Sequence, residues 1–293
     1  MKLKKILLAV AATLPVLCAP AYAALQVDNW KLDTSGATGQ GLTQVVSGID
    51  EILFTAATHA TSPAGFGVGS PFSTTGKGVA TQFNSYETGI IPVPQLNVPG
   101  GSAGLPGWEL TFDWTAGGTF TGGVPGLAAF FTHGGAGTIN FYVDNLDDLA
   151  GVKSNPLTGL GYTDGTKIAS FTLQPGQGGA LFLLTSDGSD DSDWLIDLTN
   201  TLSGVILDSL GADLGTKANT GLHTDSNFDA NPVQGTPPFS YTGGGFACGG
   251  IATNFCAKED GSAVLTVPEP ASLALLGLGL AGMGLFGRRN KKA

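Results

Sequence analysis

The chain has 293 residues, which is enough for one large domain or two ordinary ones, and 46 of them are glycine. Only 12% of the residues are charged, a low share that is typical of an exported β-sheet protein rather than of an enzyme. Between residues 24 and 267 the chain carries six cations and 22 carboxylates, a net charge of −16. A body this acidic repels polyanions, which excludes DNA and RNA as partners.

Residues 1–23 have the three parts of a secretory signal. Residues 1–5 are basic, residues 6–17 are mostly apolar, and residues 21–23, Ala-Tyr-Ala, form an A-x-A cleavage site. We therefore expect a signal helix that is removed after export, so that the mature chain begins at Ala24, outside the cytosol.

Residues 24–266 form the predicted body, in which runs of alternating apolar and polar residues are separated by glycine and proline. The clearest strand covers residues 108–115, whose four large apolar side chains share one face. Ten or more short strands with no crossover helices predict an all-β fold, an antiparallel β-sandwich or jelly-roll-like body. Apolar residues within 192–209 are also spaced for a helix, and we favour strands there.

An acidic stretch is the best candidate for an ion site. It places four carboxylates within seven residues, separated by glycine and serine, so that one turn could present hard oxygen ligands to calcium. The four residues are Asp187, Asp190, Asp191 and Asp193. The stretch lacks EF-hand spacing, and we favour the alternative, an exposed acidic hairpin loop without a bound ion. No other cofactor is indicated.

Catalytic patterns in the body are weak. Residues 100–104 match G-x-S-x-G, but they lie between proline-rich loops and not between a strand and a helix, as a nucleophile elbow requires. Glu109 and Asp113 share the polar face of one predicted strand, and a carboxylate pair is what a glycosidase needs, but we favour solvated strand residues there. The three histidines fit no triad or metal pattern, and we predict a protein that is not an enzyme.

Two cysteines remain after signal removal, Cys248 and Cys256. In an oxidising compartment a disulfide that closes this short loop is the default interpretation. A zinc site is the alternative, but no histidine lies closer than 25 residues to either cysteine and no second cysteine pair is present.

The last residues, 267–293, form three blocks: a proline-carboxylate motif, an uncharged apolar run at 271–287 and a basic end. The residues that define the motif and open the basic end are Pro268, Glu269, Pro270, Arg288 and Arg289. The apolar run predicts a transmembrane helix at the lower length limit for a bilayer core of roughly 30 Å. Its basic end should stay on the cytoplasmic side.

This tail resembles the PEP-CTERM sorting signal of Gram-negative bacteria, which is similar to a substrate tail for the membrane protease-transpeptidases called exosortases. The resemblance implies an exosortase partner, membrane anchoring through residues 271–287 before processing, and display at the cell surface or in the extracellular matrix. It also implies association with exopolysaccharide in biofilm or floc formation, and the size and plan of the chain look like the flocculation-associated PEP-CTERM proteins. An ordinary tail anchor that stays in the membrane is the alternative.

Aromatic residues leave a second function open, because rings stack on the apolar faces of sugars. The candidates for such contacts are Trp30, Tyr86, Tyr142, Tyr162 and Tyr241. Most of them are expected to be packing residues. The alternative function is therefore a surface-held glycan-binding module or polysaccharide hydrolase.

Overall fold

The structure is a computed structural model that describes residues 24–65, 67–124, 128–147, 152–155, 158–182, 187–229 and 254–268. The chain divides into two units, Gln26–Val267 and a second unit made of Met1–Leu25 and Pro268–Ala293. The signal sequence at 1–23 and the expected tail helix at 271–287 lie outside the described residues. Among the residues that are described, no helix is long and apolar enough to cross a membrane.

Within the described residues, strands account for nearly all of the regular structure, together with two single-turn 3₁₀ helices at Thr34–Gly36 and Leu214–Thr216. The strands in chain order are β1 (Ala24–Gln26), β2 (Trp30–Asp33), β3 (Val45–Ile49), β4 (Glu51–Thr61), β5 (Pro71–Ser85), β6 (Gly89–Ile91), β7 (Trp108–Val124), β8 (Ala128–Asn145), β9 (Thr166–Leu173), β10 (Gly178–Phe182), β11 (Asp187–Ile196), β12 (Ile206–Leu207), β13 (Gly221–Asp229) and β14 (Asn254–Pro268). The alternative of a helix at 192–209 is not found, since this segment contains the end of β11, a turn and β12.

The antiparallel pairings of the main sheet close on themselves. From β4 they run through β5, β7 and β8, and then through β11, β13 and β14, which pairs back with β4. The short strands β9 and β10 share the position between β8 and β11, because β10 pairs with one end of each and β9 with the other. The body is therefore a closed antiparallel barrel with eight strand positions.

This closure corrects the predicted fold. The all-β class is right, but the predicted β-sandwich or jelly roll is wrong, because the sheet has no gap between β4 and β14. The alternation of apolar and polar residues along one strand is the same in a sandwich and in a barrel, since both folds bury one face of each strand. The two folds differ in which distant strands pair, here strands about 200 residues apart in the sequence. Local sequence patterns carry no information about such pairing.

Large aromatic side chains fill the barrel, and each of six lies directly opposite a glycine on the neighbouring strand. The six pairs are Phe54–Gly261, Phe72–Gly118, Trp114–Gly76, Phe112–Gly78, Phe131–Gly179 and Phe228–Gly188. A methyl group added at Gly76 would come within 1.9 Å of the Trp114 ring, so only glycine fits there without movement. An eight-stranded barrel is barely wide enough for its own side chains, and these pairs let the rings fit.

A separate three-stranded sheet, β12-β2-β3, closes one end of the barrel. Its buried residues Trp30, Leu32 and Ile206 line a small cavity together with barrel residues such as Ile52 and Leu265. All of these side chains belong to one apolar cluster. The three-stranded sheet thus extends the core rather than forming a second domain.

Candidate functional site

The acidic stretch is a strand and not the expected hairpin loop, because β11 covers Asp187–Ile196. Successive side chains of a strand point to opposite faces. Asp190 lines the interior cavities of the barrel, whereas Asp191 and Asp193 lie on the outer wall beside His223. The structure therefore does not bring the four predicted calcium ligands together. In the part of the chain that is described, no group of three or more His, Cys, Asp or Glu side chains is arranged to hold a metal ion.

The inner side of β11 contributes to a polar cluster in the lumen. Nε2 of His133 lies 2.8 Å from Oδ1 of Asp190 and 3.0 Å from Oγ of Ser192. The Ser192 hydroxyl also donates to Asp190 Oδ1 at 3.4 Å. The His133 side chain is only 1% exposed. The cluster thus combines the three side-chain types of a hydrolytic triad in a buried position.

The geometry of this cluster is nevertheless wrong for a triad. A triad orients the imidazole through one ring nitrogen and uses the other to accept the serine proton. Here both contacts fall on Nε2 of His133, while Nδ1 is buried and has no hydrogen-bond partner among the described residues. A neutral ring that donates Nε2–H to Asp190 has no lone pair on that nitrogen for Ser192. The arrangement holds the three side chains in place but does not activate the serine.

A second carboxyl group lies close to this cluster. Glu259 on β14 is 9% exposed, and burial, reinforced by the nearby charge of Asp190, raises the pKa of Glu259 to about 8. A hydrogen bond with Thr58 opposes the shift. Glu259 is therefore mostly neutral at pH 7, beside a carboxylate that is partly open to solvent.

The space around these carboxyl groups is small. Two cavities of about 40 and 30 Å³ share Trp114, Asp190 and Glu259 in their walls. A cavity of roughly 10–15 Å³ holds one water molecule, and ligand pockets usually measure about 300–1,000 Å³. The lumen as it stands has room for a few water molecules and not for a sugar ring.

The outer side of β11 and the neighbouring β13 and β14 form an acidic face. Its carboxylates are Asp187, Asp191, Asp193, Asp225, Asp229 and Asp260. The hydrogen bond between His223 Nδ1 and Asp193, 2.9 Å long, raises the pKa of His223 and lowers that of Asp193. Burial raises the pKa of Asp191, and the neighbouring Asp193 and Asp225 add to that rise.

The predicted carboxylate pair on β7 has two different environments. Glu109 is fully buried, and its carboxylate accepts hydrogen bonds from the Ser154 amide, 2.8 Å away, and from the Ser154 hydroxyl. Burial raises the pKa of Glu109. Asp113 stays half-buried, where its Oδ1 accepts from Asn140 and Tyr142. The expectation of two solvated residues is therefore wrong for Glu109.

The sugar-stacking candidates are also separated by the fold. Trp30 and Tyr162 are each 2% exposed and serve as core or packing residues, whereas Tyr86 is 61% exposed. Tyr142 is half-buried on the outer wall, and burial beside Asp113 raises the pKa of Tyr142 to about 12. Tyr241 lies outside the described residues.

Cys256 lies on β14, is fully buried and is disulfide-bonded. Its expected partner, Cys248, lies outside the described residues, so the pairing of these two cysteines stays a prediction. Of the sorting residues, Pro268 is the last residue of β14. Glu269, Pro270, Arg288 and Arg289 lie outside the described residues as well.

Sequence reasoning missed the luminal groups His133, Ser192 and Glu259. A usable signal was present, because the alternation that places Trp194 inside the barrel also places Ser192 and Asp190 inside. The turn-like composition of the stretch, with its glycine and four aspartates, concealed that alternation.

Comparison with protein families identifies the tail. The family model of the PEP-CTERM protein-sorting motif matches residues 266–291. The chain therefore carries a PEP-CTERM sorting signal, which confirms the resemblance seen in the sequence. The motif implies export, anchoring in the membrane before cleavage, and processing by an exosortase. The match covers the tail alone and does not describe the barrel.

Two solved structures that are similar to the chain have low TM-scores. No curated protein matches the chain. It is similar to the crystal structure of Ail, the attachment invasion locus protein of Yersinia pestis, at 6% identity and a TM-score of 0.15, and to the complex of Ail with the heparin analogue sucrose octasulfate, at 5% and 0.13. Both comparisons cover 74% of this chain and 99% of the Ail chain. At these TM-scores the likeness carries no argument about fold or function.

Proposed function

We propose that this protein is a non-catalytic component of the exopolysaccharide matrix, acting in biofilm or floc formation at the surface of a Gram-negative cell. The observation that carries the proposal is the PEP-CTERM motif at residues 266–291, because that signal implies export and surface sorting. The charge of −16 between residues 24 and 267 supports it, since such a body does not adhere to anionic lipid.

The lumen supports a role without catalysis. Ser192 is not activated, since both contacts of His133 use the same nitrogen. The two small cavities beside Asp190 and Glu259 leave no room for a polymeric substrate.

Deletion of the gene tests the matrix role. We expect the deletion to loosen cell aggregates without abolishing polysaccharide synthesis, and the full-length gene to restore them. Sedimentation of the cells and the amount of extracellular polysaccharide are the two measurements. Unchanged aggregation in the deletion strain contradicts the proposal.

The fate of the tail has its own test, because a plain anchor stays in the membrane and a sorting signal is removed. We expect the intact mass of the exported protein to lack everything beyond about residue 270. A product that still contains Arg288 and Arg289 favours the plain anchor.

A surface-held glycan-binding module or hydrolase is the second candidate. The observation that favours it is the carboxyl pair in the lumen, where Glu259 is mostly neutral and Asp190 lies beside it, since glycosidases use one acid and one carboxylate. We expect no release of reducing ends from a soluble β-glucan or from starch by the purified protein. Release that disappears in an Asp190→Asn variant supports the hydrolase instead.

A further inference from the structure

Four neighbouring strands, β5, β7, β8 and β9, share an outer surface rich in hydroxyl groups. The strand register places one threonine from each strand in a single row across the wall. The threonines of this row are Thr75, Thr115, Thr138 and Thr172. Those on the two central strands, Thr115 and Thr138, are exposed, and their Oγ1 atoms lie 3.5 Å apart.

A second polar row runs beside the first, two residues further along the strands. Its members are Lys77, Asp113, Asn140 and Ser170. Asn140 donates to Asp113 Oδ1 at 2.9 Å, and the Ser170 hydroxyl donates to Asn140 Oδ1 at 2.8 Å. The Tyr142 hydroxyl, at the next position on β8, also donates to Asp113 Oδ1, at 3.4 Å. We call the two rows together with Tyr142 the hydroxyl face.

Some polar groups of this face have hydrogen-bond partners within the protein, and others do not. Both bonds to Asp113 fall on Oδ1, and among the described residues neither Asp113 Oδ2 nor the Thr75 hydroxyl has a hydrogen-bond partner. The contact between Thr115 and Thr138 is long for a hydroxyl pair. The Ser170 side chain is buried, the Thr172 hydroxyl donates to the Leu195 carbonyl, and Lys77 donates to the Gly159 carbonyl. Among the described residues, the groups that remain available on this face are therefore the Thr75 hydroxyl, Asp113 Oδ2 and the exposed hydroxyls of Thr115 and Thr138.

The spacing of these groups suits an extended polymer. Neighbouring strands lie about 4.8 Å apart, and equivalent positions along one strand repeat about every 6.8 Å. The two central strands, β7 and β8, offer successive polar pairs, Thr115 with Thr138 and then Asp113 with Asn140. Tyr142 follows and adds an apolar ring with a polar tip.

The hydroxyl face differs in net charge from the acidic face of β11, β13 and β14. On the hydroxyl face Lys77 lies opposite Asp113, and the two rows carry no net charge. On the acidic face, the basic side chains that accompany the six aspartates among the described residues are His223 and Lys258. An uncharged polymer is not repelled from the hydroxyl face, whereas an anionic polymer is repelled from the acidic face.

We infer that the hydroxyl face binds an extended, uncharged glycan chain that lies along β7 and β8. Sugar hydroxyls bond to Thr115, Thr138 and Asp113 Oδ2, and the Tyr142 ring packs against the apolar face of one sugar. This inference rests on the proposed matrix function and names the surface through which it acts. A protein partner fits less well, because protein interfaces bury an apolar core and the two rows contain only polar side chains.

Native affinity electrophoresis of the exported protein in gels that contain hydroxyethylcellulose or dextran tests the inference. We expect at least one of these uncharged glucans to retard the protein. The double variant Thr115→Val/Thr138→Val keeps the strand preference of both positions, and we expect it to weaken the association about tenfold, as the loss of two hydrogen bonds implies. The matched control, Ser189→Ala/Ser262→Ala, removes two hydroxyls from the acidic face and should migrate as the wild type does.

Thermal unfolding establishes whether each variant is folded. If the double variant does not fold, Asp113→Asn serves as the second test. Absence of retardation by both glucans overturns the inference, as does equal retardation of wild type, double variant and control. If the natural partner of this face is a protein, neither glucan should retard the protein.

Returning the double variant to the deletion strain separates this inference from the proposed function. If the deletion loosens aggregates and the double variant restores them fully, the matrix role stands and the hydroxyl face does not carry it. If the deletion leaves aggregates unchanged, the proposed function itself fails.

Discussion

At the scale of single residues, two buried glutamates have contrasting surroundings. Glu259 lies in the lumen beside the carboxylate of Asp190, and burial raises its pKa to about 8. Glu109 lies on the outer wall, where the segment that contains Ser154 covers it and donates two hydrogen bonds. The first group is stabilised by keeping its proton, and the second is satisfied by a neighbouring loop.

Replacement of Glu259 by glutamine should flatten the pH dependence of stability. The folded-state pKa is about 8, above the unfolded value of about 4.5, so the stabilisation is fully present below pH 4.5 and is lost as the pH rises through 8. The slope is at most about 1.4 kcal/mol per pH unit. Urea unfolding at pH 5, 7 and 9 measures it. Glu87→Gln, at an exposed site, is the matched control and should leave the slope unchanged; an equal slope in wild type and Glu259→Gln contradicts the assignment.

Loss of the Ser154 hydroxyl should weaken the cover over Glu109. In Ser154→Ala one carboxylate oxygen loses its donor in a buried site, which costs about 1–3 kcal/mol. Limited proteolysis should then cut between residues 152 and 162 sooner than in the wild type. Ser35→Ala, whose hydroxyl bonds Asp33 at the surface, is the control. Unchanged cleavage in Ser154→Ala shows that the bond does not hold this segment.

At the scale of strands, six glycines of the barrel wall are explained by side-chain packing. Gly76 and Gly78 on β5 lie under Trp114 and Phe112 of β7, where even a methyl group would overlap the rings. The rings in turn contact one another, as in the edge-on pair Phe54–Phe112 with centroids 5.1 Å apart. The composition indicated a glycine-rich β protein, but not that its glycines are paired with its aromatics.

Gly76→Ala should destabilise the barrel by about 1–3 kcal/mol, because the added methyl group would overlap the Trp114 ring and force it to move. Gly134→Ala on β8 is the matched control, since its added methyl would meet no atom closer than 3.7 Å. Thermal unfolding of the two variants beside the wild type is the measurement. Equal melting temperatures for both would contradict the packing account.

The sequence predicted the strands better than it predicted the site. The alternation of apolar and polar residues correctly predicted a strand at 108–115, which lies within β7, and also which of its faces is buried. It did so because one face of that strand is apolar throughout. It failed at 187–193, where aspartates occupy both faces of β11 and hide the period of two. The luminal position of Glu259 could not be predicted either, since a carboxylate in a strand usually faces outward.

At the scale of the whole barrel, closure between β4 and β14 leaves neither strand as an edge. An open sandwich would expose the backbone groups of its outer strands, which is where hydrogen exchange begins. The three-stranded sheet does keep an edge, at β3. The two kinds of strand should therefore differ in local stability.

Hydrogen exchange measures this difference. We expect the amides that pair β4 with β14 to exchange at the same slow rate as those that pair β7 with β8. The outward amides of Val45 and Ser47 on β3 should exchange much faster, because β2 pairs with the other edge of that strand. Rapid exchange along the whole β4–β14 pairing would contradict a closed barrel.

The pairs of aromatic residue and glycine also constrain how the sequence of such a chain can evolve. In each pair the aromatic ring on one strand occupies the space above the glycine of the next strand, which has no side chain. Altering a single member therefore either crowds the interior or leaves a void. Two changes made together, such as Gly76 to a large residue and Trp114 to glycine, conserve the filled volume. Related chains with the same barrel should therefore show the two residues exchanging places, and their covariation would report the strand register without a structure.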